Sequence, residues 1–133
     1  VDCVASGNGF SGFASQPESS FSGCVAEDNG TNGFLGNFGC SWTGCTARQN
    51  EQIGFSATFA SLIVVCVASG NGSHGIFMAS QCTVRDNECN GNGTAVADGA
   101  GILSNGVDCR IEGNNCVGND IGIDVAMSGN LVV

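Results

Sequence analysis

The chain has 133 residues, 42% of them hydrophobic, which suits one folded domain with a real core rather than a disordered segment. With 22 Gly, one Pro and only 11% charged residues, it is poor in the Lys, Glu and Arg that coat amphipathic helices, so strands and turns are expected. A formal charge of −9 argues against nucleic acid and acidic membrane surfaces as partners, because binding to phosphate needs Lys and Arg. The longest apolar run, residues 62–68, is far shorter than the ~20 residues of a membrane-spanning helix.

Taken in chain order, the sequence is a repeat. Cys3, Cys24, Cys45 and Cys66 follow one another at intervals of 21 residues. They open the segments Cys3-Val-Ala-Ser-Gly-Asn8, Cys24-Val-Ala-Glu-Asp-Asn29, Cys45-Thr-Ala-Arg-Gln-Asn50 and Cys66-Val-Ala-Ser-Gly-Asn71. The pattern returns out of strict period as Cys82-Thr-Val-Arg-Asp-Asn87 and Cys109-Arg-Ile-Glu-Gly-Asn114, giving six units that start near 3, 24, 45, 66, 82 and 109 in a single domain. Each Asn is followed by a Gly and a large apolar residue: Gly12-Phe13, Gly33-Phe34, Gly54-Phe55, Gly75-Ile76, Gly101-Ile102 and Gly122-Ile123. On this alignment the fifth unit carries an insertion over residues 88–100 and the sixth a shorter excess near 116–120.

Within a unit the apolar residues alternate, as in Cys82 and Val84 or Ile123 and Val125, which predicts strands rather than helices. A third short strand is expected around Phe21, Trp42 and Ile63. Strands this short cannot bury a face alone, so each turn must stack on the next at ~4.8 Å. Stacking predicts interior columns: Cys3, Cys24, Cys45, Cys66, Cys82 and Cys109 in one, and Phe13, Phe34, Phe55, Ile76, Ile102 and Ile123 in another. Asn8, Asn29, Asn50, Asn71, Asn87 and Asn114 form a polar column, read as a hydrogen-bonded ladder of turn residues.

These features resemble the right-handed parallel β-helix repeat proteins, the pectin-lyase-like superfamily, over essentially the whole chain. The resemblance is carried by the Cys-x-Val/Ala-x-x-Asn turn, the Gly-Ile/Phe strand start and the tail from Gly101-Ile102 to Ser128-Gly-Asn-Leu-Val132, which is similar to repeats of exported bacterial proteins. It implies an all-β, three-strand-per-turn solenoid of about six turns, an extracellular or cell-surface location, and contact with polysaccharide. It does not imply a reaction.

The chemistry-bearing residues are sparse. Asp98, Asp108, Asp120 and Asp124 are the weak candidates for a Ca²⁺ or acid–base site, without any compact ligand spacing, and surface solvation is the expectation for them. No catalytic residue is assigned, and no cofactor beyond that calcium candidate. Arg48, Arg85 and Arg110 read as solvated surface, His74 as an exposed turn residue, and Trp42 as core. Of nine cysteines, Cys40, Cys89 and Cys116 fall outside the Cys column and are the candidates for pairing or reaction, the others being buried thiols. Asn29, Asn71 and Asn92 lie in Asn-x-Ser/Thr sequons, of which only Asn92 is expected to be accessible.

The chain opens at Val1 rather than Met, so a processed chain or a segment of a longer solenoid is expected. Neither end carries a recognisable cap, and Val133 read onto Val1 of another copy reproduces the pattern of residues 62–68. The expectation is therefore a non-catalytic, extracellular structural or adhesive solenoid. It would associate head to tail into a fibre through Val1, Cys3 and Val4 at one end and Leu131, Val132 and Val133 at the other. A polysaccharide-binding or polysaccharide-processing module is the alternative, with the fifth-unit insertion as the wall of its cleft.

Overall fold

The computed structural model describes residues 1–133 as eighteen short strands and no helix, wound as six rungs of three strands each. The first rung holds β1 (Val4–Ser6), β2 (Phe13–Ala14) and β3 (Ser20–Ser22), and the second β4 (Val25–Glu27), β5 (Phe34–Leu35) and β6 (Ser41–Thr43). The third holds β7 (Thr46–Arg48), β8 (Phe55–Phe59) and β9 (Leu62–Val64), and the fourth β10 (Val67–Ser69), β11 (Ile76–Ser80) and β12 (Thr83–Arg85). The fifth holds β13 (Glu88–Asn90), β14 (Ala100–Ser104) and β15 (Arg110–Glu112), and the sixth β16 (Asn115–Val117), β17 (Ile121–Val125) and β18 (Leu131–Val132). Equivalent strands pair in parallel, giving three six-stranded sheets that begin with β1, β2 and β3. The protein is a parallel β-solenoid, ~29 Å long at the strand spacing.

The corners explain why so many rungs can be made from so few residue types. Each rung turns three times, and at each turn one residue takes positive φ: Asp2, Gly23, Gly44, Val65, Asp86 and Gly113 at the first corner. Gly7, Asp28, Gln49, Gly70, Gly91 and Gly118 do so at the second, and Glu18, Gly39, Ala60, Gln81, Asp108 and Gly129 at the third. Gly reaches this conformation without penalty and Asp with little. The residue that follows is in every case Cys, Ser or Asn.

That composition has a geometric cause. The carbonyl of the corner residue accepts from the rung above, as in Val25 N–H to Cys3 O (2.8 Å) and Gly30 N–H to Asn8 O (2.8 Å), but its own N–H finds no carbonyl in the ladder. Throughout the second corner, and at five of the ten steps of the other two, a side chain one rung on accepts it instead: Asn50 N–H donates to Asn71 Oδ1 (3.2 Å), Cys66 N–H to Asn87 Oδ1 (2.8 Å), Cys40 N–H to Ser61 Oγ (3.2 Å) and Cys45 N–H to Cys66 Sγ (3.4 Å). Amide, hydroxyl and thiol all serve. The second corner is the strongest, because Asn also donates Nδ2–H to the next Oδ1 and to a carbonyl below, as Asn50 does to Asn71 (2.9 Å) and Ala26 (3.2 Å).

This interchange corrects the column assignment of the last two rungs. Cys66 is followed in register by Asn87 and Asn114, not by Cys82 and Cys109, because Val67 pairs with Glu88 and Glu88 with Asn115. The Asn ladder therefore runs Asn8, Asn29, Asn50, Asn71, Asn92 and Asn119, with Asn71 Nδ2–H donating to Asn92 Oδ1 (2.9 Å) and Asn92 Nδ2–H to Asn119 Oδ1 (2.9 Å). Cys82 and Cys109 belong to the third corner with Cys40, since Thr83 pairs with Leu62 and with Arg110. The rung boundaries near 82 and 109 accordingly move to Asn87 and Asn114. Residues 88–90 are strand rather than insertion, and so are 115–117. Asn92 is 3% exposed and spends its amide in the ladder, so it is closed to a glycan.

The core is a stack of single side chains. Phe13, Phe34, Phe55, Ile76, Ile102 and Ile123 lie in register in the second sheet, with Phe34 and Phe55 stacked at a centroid distance of 4.8 Å. Phe21, Trp42, Ile63, Val84, Ile111 and Val132 line the third sheet, and Trp42 is fully buried, as core. Ala5, Ala26, Ala47, Ala68, Cys89 and Cys116 line the first. The invariant Gly before each Phe or Ile has its own reason: a Cβ on Gly33 would lie 2.8 Å from both Asn50 Nδ2 and the Gly54 carbonyl.

Asn50→Leu removes the acceptor of the Asn29 N–H and Nδ2–H and one donor to the Ala26 carbonyl, at ~1–3 kcal/mol for each buried group left unpaired. Thermal unfolding should show a loss of ~3 kcal/mol or more. Cys66→Asn, which copies what Asn87 does at the same corner, should change stability by less than ~1 kcal/mol.

Candidate functional site

The one large departure from the repeat lies between β13 and β14. Gly93 N–H and Ala95 N–H still bond to Asn71 O (2.9 Å) and Gly72 O (2.8 Å) of the rung before, after which the chain leaves the solenoid and returns at Gly99. Gly93 and Gly99 meet at the base of this excursion, where a Cβ on Gly93 would stand 2.8 Å from Gly99 Cα, so the neck has room only for glycine. Residues 94–98 are exposed, with Asp98 at positive φ. The loop leans over the second corner and, with Gln49, Glu51, Gly70 and Gly72, walls an open groove of about 460 Å³ through Thr94 and Ala95. A smaller groove of about 260 Å³ runs along the outside of the second sheet past Ala14, Leu35, Asn37 and Thr58.

The four candidate carboxylates are not brought together. Asp98 rides on the loop, Asp108 is a corner residue with positive φ, and Asp124 stands on the outer face of β17, in register with Leu103. Asp120 alone has a structural contact, accepting from Gly99 N–H at 3.3 Å and so tying the neck of the loop to the sixth rung. No three His, Cys, Asp or Glu side chains converge on a point where they could hold a metal ion. Asp2, Asp28, Asp86 and Asp108 are explained as corner residues, a role the sequence reading missed and that, for Asp2, Asp28 and Asp108, a 21-residue spacing from corner glycines could have revealed.

His74 is not the exposed turn residue expected. It is half-buried beside the loop, and its Nδ1 accepts from Ala100 N–H at 3.0 Å, the residue that resumes the sheet after the loop. Burial draws the imidazole pKa below its ordinary value, and the carboxylate of Asp124 pulls it partly back. The three arginines are surface groups, each in an ion pair: Arg48 with Glu27 one rung below (Nε–Oε2 2.7 Å), Arg85 with Asp86 (2.9 Å) and Arg110 with Glu112 (2.8 Å). With every cation so engaged, the remaining surface is anionic.

All nine cysteines are free thiols. Cys40, Cys89 and Cys116, set apart in the sequence reading, are interior: Cys40 shares the third corner column with Cys82 and Cys109, while Cys89 and Cys116 continue the alanine column and are register partners. The terminal residues lie on the outer rungs, with Cys3 exposed and Val1, Val4, Leu131, Val132 and Val133 between 48% and 82% exposed.

Comparison with solved structures finds a similar fold in the A-module of the Azotobacter vinelandii mannuronan C-5 epimerase AlgE4, with a TM-score of 0.59 and 20% sequence identity. The match covers 98% of this chain and 54% of that module, so the chain spans about half the length of its structural neighbour. The agreement is one of fold: a parallel β-helix, as the repeat implied. No protein-family profile matches the chain, and no curated protein matches it in sequence.

Neutral His74 is the form that accepts from Ala100, and its folded pKa lies below the unfolded value near 6.5. Its contribution is therefore complete above pH 6.5 and is lost as the pH falls through the folded pKa. An NMR titration of the His74 ring should give a midpoint under 6.5. The difference in unfolding midpoint between wild type and His74→Gln should shrink as the pH falls below 6.5.

Proposed function

We propose that the chain is a non-catalytic, extracellular structural section of solenoid that works by stacking rung on rung with a second copy of itself. The observation that carries this reading is the polarity of the two outer rungs. On the first rung, Asn8 spends its N–H and Nδ2–H on Asn29, and its Oδ1 has no donor. On the sixth, Asn119 Oδ1 accepts from Asn92, and the Asn119 N–H has no acceptor. Donors lacking a partner at one face and acceptors lacking one at the other are the two halves of the contact that joins every internal rung. The side chains inside those faces match as well, with Phe13 and Phe21 at one and Ile123 and Val132 at the other continuing the same columns. A contact between unlike faces does not close on itself, so it propagates as a filament.

A second reading is favoured by a separate observation, the groove under the loop. Its polar rim of Gln49, Glu51 and Thr94 beside flat glycine backbone offers hydrogen bonds to a hydroxylated chain, and the neighbouring fold belongs to a polysaccharide epimerase. The surplus of carboxylates favours a neutral polysaccharide over a polyuronate.

Electron microscopy of the purified chain at micromolar concentration tests the first reading. Unbranched filaments with an axial repeat of ~29 Å are expected. Ile123→Asp, which puts a charge inside one face, should leave single particles. Particles of unit length for wild type at every concentration, together with retention on a neutral glycan column that Thr94→Arg abolishes, would replace it with the second.

A further inference from the structure

The thiols fall into spatial classes that the sequence alone does not separate. Cys3, Cys24, Cys45 and Cys66 stand one above another at the first corner, bonded through Val25 N–H to Cys3 O, Thr46 N–H to Cys24 O and Val67 N–H to Cys45 O (2.8, 2.9 and 2.9 Å). Their side chains share one conformation, because each Sγ–H points at the carbonyl two residues before it: Val1 O (3.3 Å), Ser22 O (3.4 Å), Thr43 O (3.6 Å) and Val64 O (3.3 Å). Four identical conformers on an in-register parallel stack repeat by translation, so neighbouring sulfurs are spaced like the rungs, at ~4.8 Å. Cys40 is the contrasting case. Its neighbours along the third corner are Ser19 and Ser61, which leaves it a thiol with no thiol beside it.

That spacing selects the chemistry. A disulfide needs sulfurs at ~2.05 Å and Cβ atoms at ~3.8 Å, which the strand hydrogen bonds on either side of each cysteine oppose. Tetrahedral zinc needs four ligands around one point, and a straight column presents two. Two metal–sulfur bonds of ~2.3 Å laid end to end span ~4.6 Å, close to the distance between rungs. Soft monovalent d10 ions such as Cu(I) and Ag(I) take two thiolates in a line, and soft sulfur ligands prefer them over hard cations.

We propose that the cysteine column is a binding site for monovalent d10 metal ions, each held in line between two sulfurs of adjacent rungs. A sulfur bound in line on both sides would need a straight metal–sulfur–metal angle, which its lone pairs disfavour. Alternate gaps therefore fill, giving one ion between Cys45 and Cys66 and one between Cys3 and Cys24. In each gap two thiols lose their protons, two metal–sulfur bonds form, and the site gains one net negative charge. The inner gap already holds one contact suited to that charge, since Cys45 N–H donates to Cys66 Sγ at 3.4 Å. The exposed Cys3 is the point of entry. This inference concerns residues of one chain and does not need the stacking reading, although its outer gap, at the exposed Cys3, lies on the face that stacking would cover.

The test is titration of the reduced full chain with Ag(I), read by native mass spectrometry, with Cu(I) loaded anaerobically for X-ray absorption. Within this column Cys45→Ser leaves only Cys3 and Cys24 adjacent, and it does not touch the neighbouring pairs Cys82–Cys109 and Cys89–Cys116, so it should bind one ion fewer than wild type. It should also fold, because Ser61 already fills the equivalent role at the third corner. Cys40→Ser should bind as many ions as wild type. Absorption should show two sulfur neighbours per copper, and bound Ag(I) should raise the unfolding midpoint of wild type. Equal stoichiometry for Cys45→Ser and wild type would overturn the proposal. So would a third sulfur neighbour on each copper, or loss of the β-sheet signal on metal addition.

Discussion

One backbone group per corner governs this molecule. A parallel solenoid satisfies its strands by stacking, yet at each corner the N–H that follows the positive-φ residue is left without a carbonyl, and in the inner rungs most of these groups are buried. Leaving one such group unpaired costs ~1–3 kcal/mol, and a chain with three corners per rung could not carry that cost many times over. The remedy is a short side chain with an acceptor atom, placed at the same corner one rung later. Ser, Cys and Asn have the right reach, and those three residue types follow the positive-φ residue at all eighteen corners of the solenoid. Everything else in the repeat follows. The glycine before each Phe or Ile makes room for the Asn amide, and the core column is narrow because the corners are close.

The same requirement explains what could be read from the sequence and what could not. The 21-residue interval, the alternation of apolar residues and the Phe–Ile column identify a stacked parallel solenoid without coordinates, because translation along the axis forces equivalent residues to look alike. Trp42 could be placed in the core by the same logic, since it shares its phase with Phe21 and Ile63. The register of the last two rungs could not be read by residue identity. Cys66 gives way to Asn87 at one corner while Ser61 gives way to Cys82 at another, so matching cysteine to cysteine slides the alignment from the first corner to the third. Matching function to function, acceptor to acceptor at an interval of 21, would have kept the register through Asn87 and Asn92.

The loop and His74 were illegible for a different reason. Both depend on contacts between rungs that have no periodic counterpart: Asp120 reaches back to Gly99, and His74 reaches forward to Ala100. A repeat reveals what all its copies share, and these contacts occur once. They are also the only place where ionisable side chains serve the path of the loop rather than a corner or the surface. The solenoid tolerates an excursion there because the Asn ladder passes beneath it unbroken, through Asn71, Asn92 and Asn119.

Translation also turns side-chain identity into long-range order. An isolated buried thiol is a small apolar group, and Cys40 between two serines is that and little more. Repeated in one conformation down an axis, thiols become a row of soft donors at fixed intervals, a property no single cysteine has. The same holds for the amides, which change from turn residues into a polar chain with an acceptor end and a donor end. Both properties are by-products of meeting the demand of one N–H at each corner with the side chains available. A fold stabilised this way carries directionality along its axis even where its lateral surface carries no organised site, so its chemistry is to be sought at the faces and inside the columns before it is sought in the grooves.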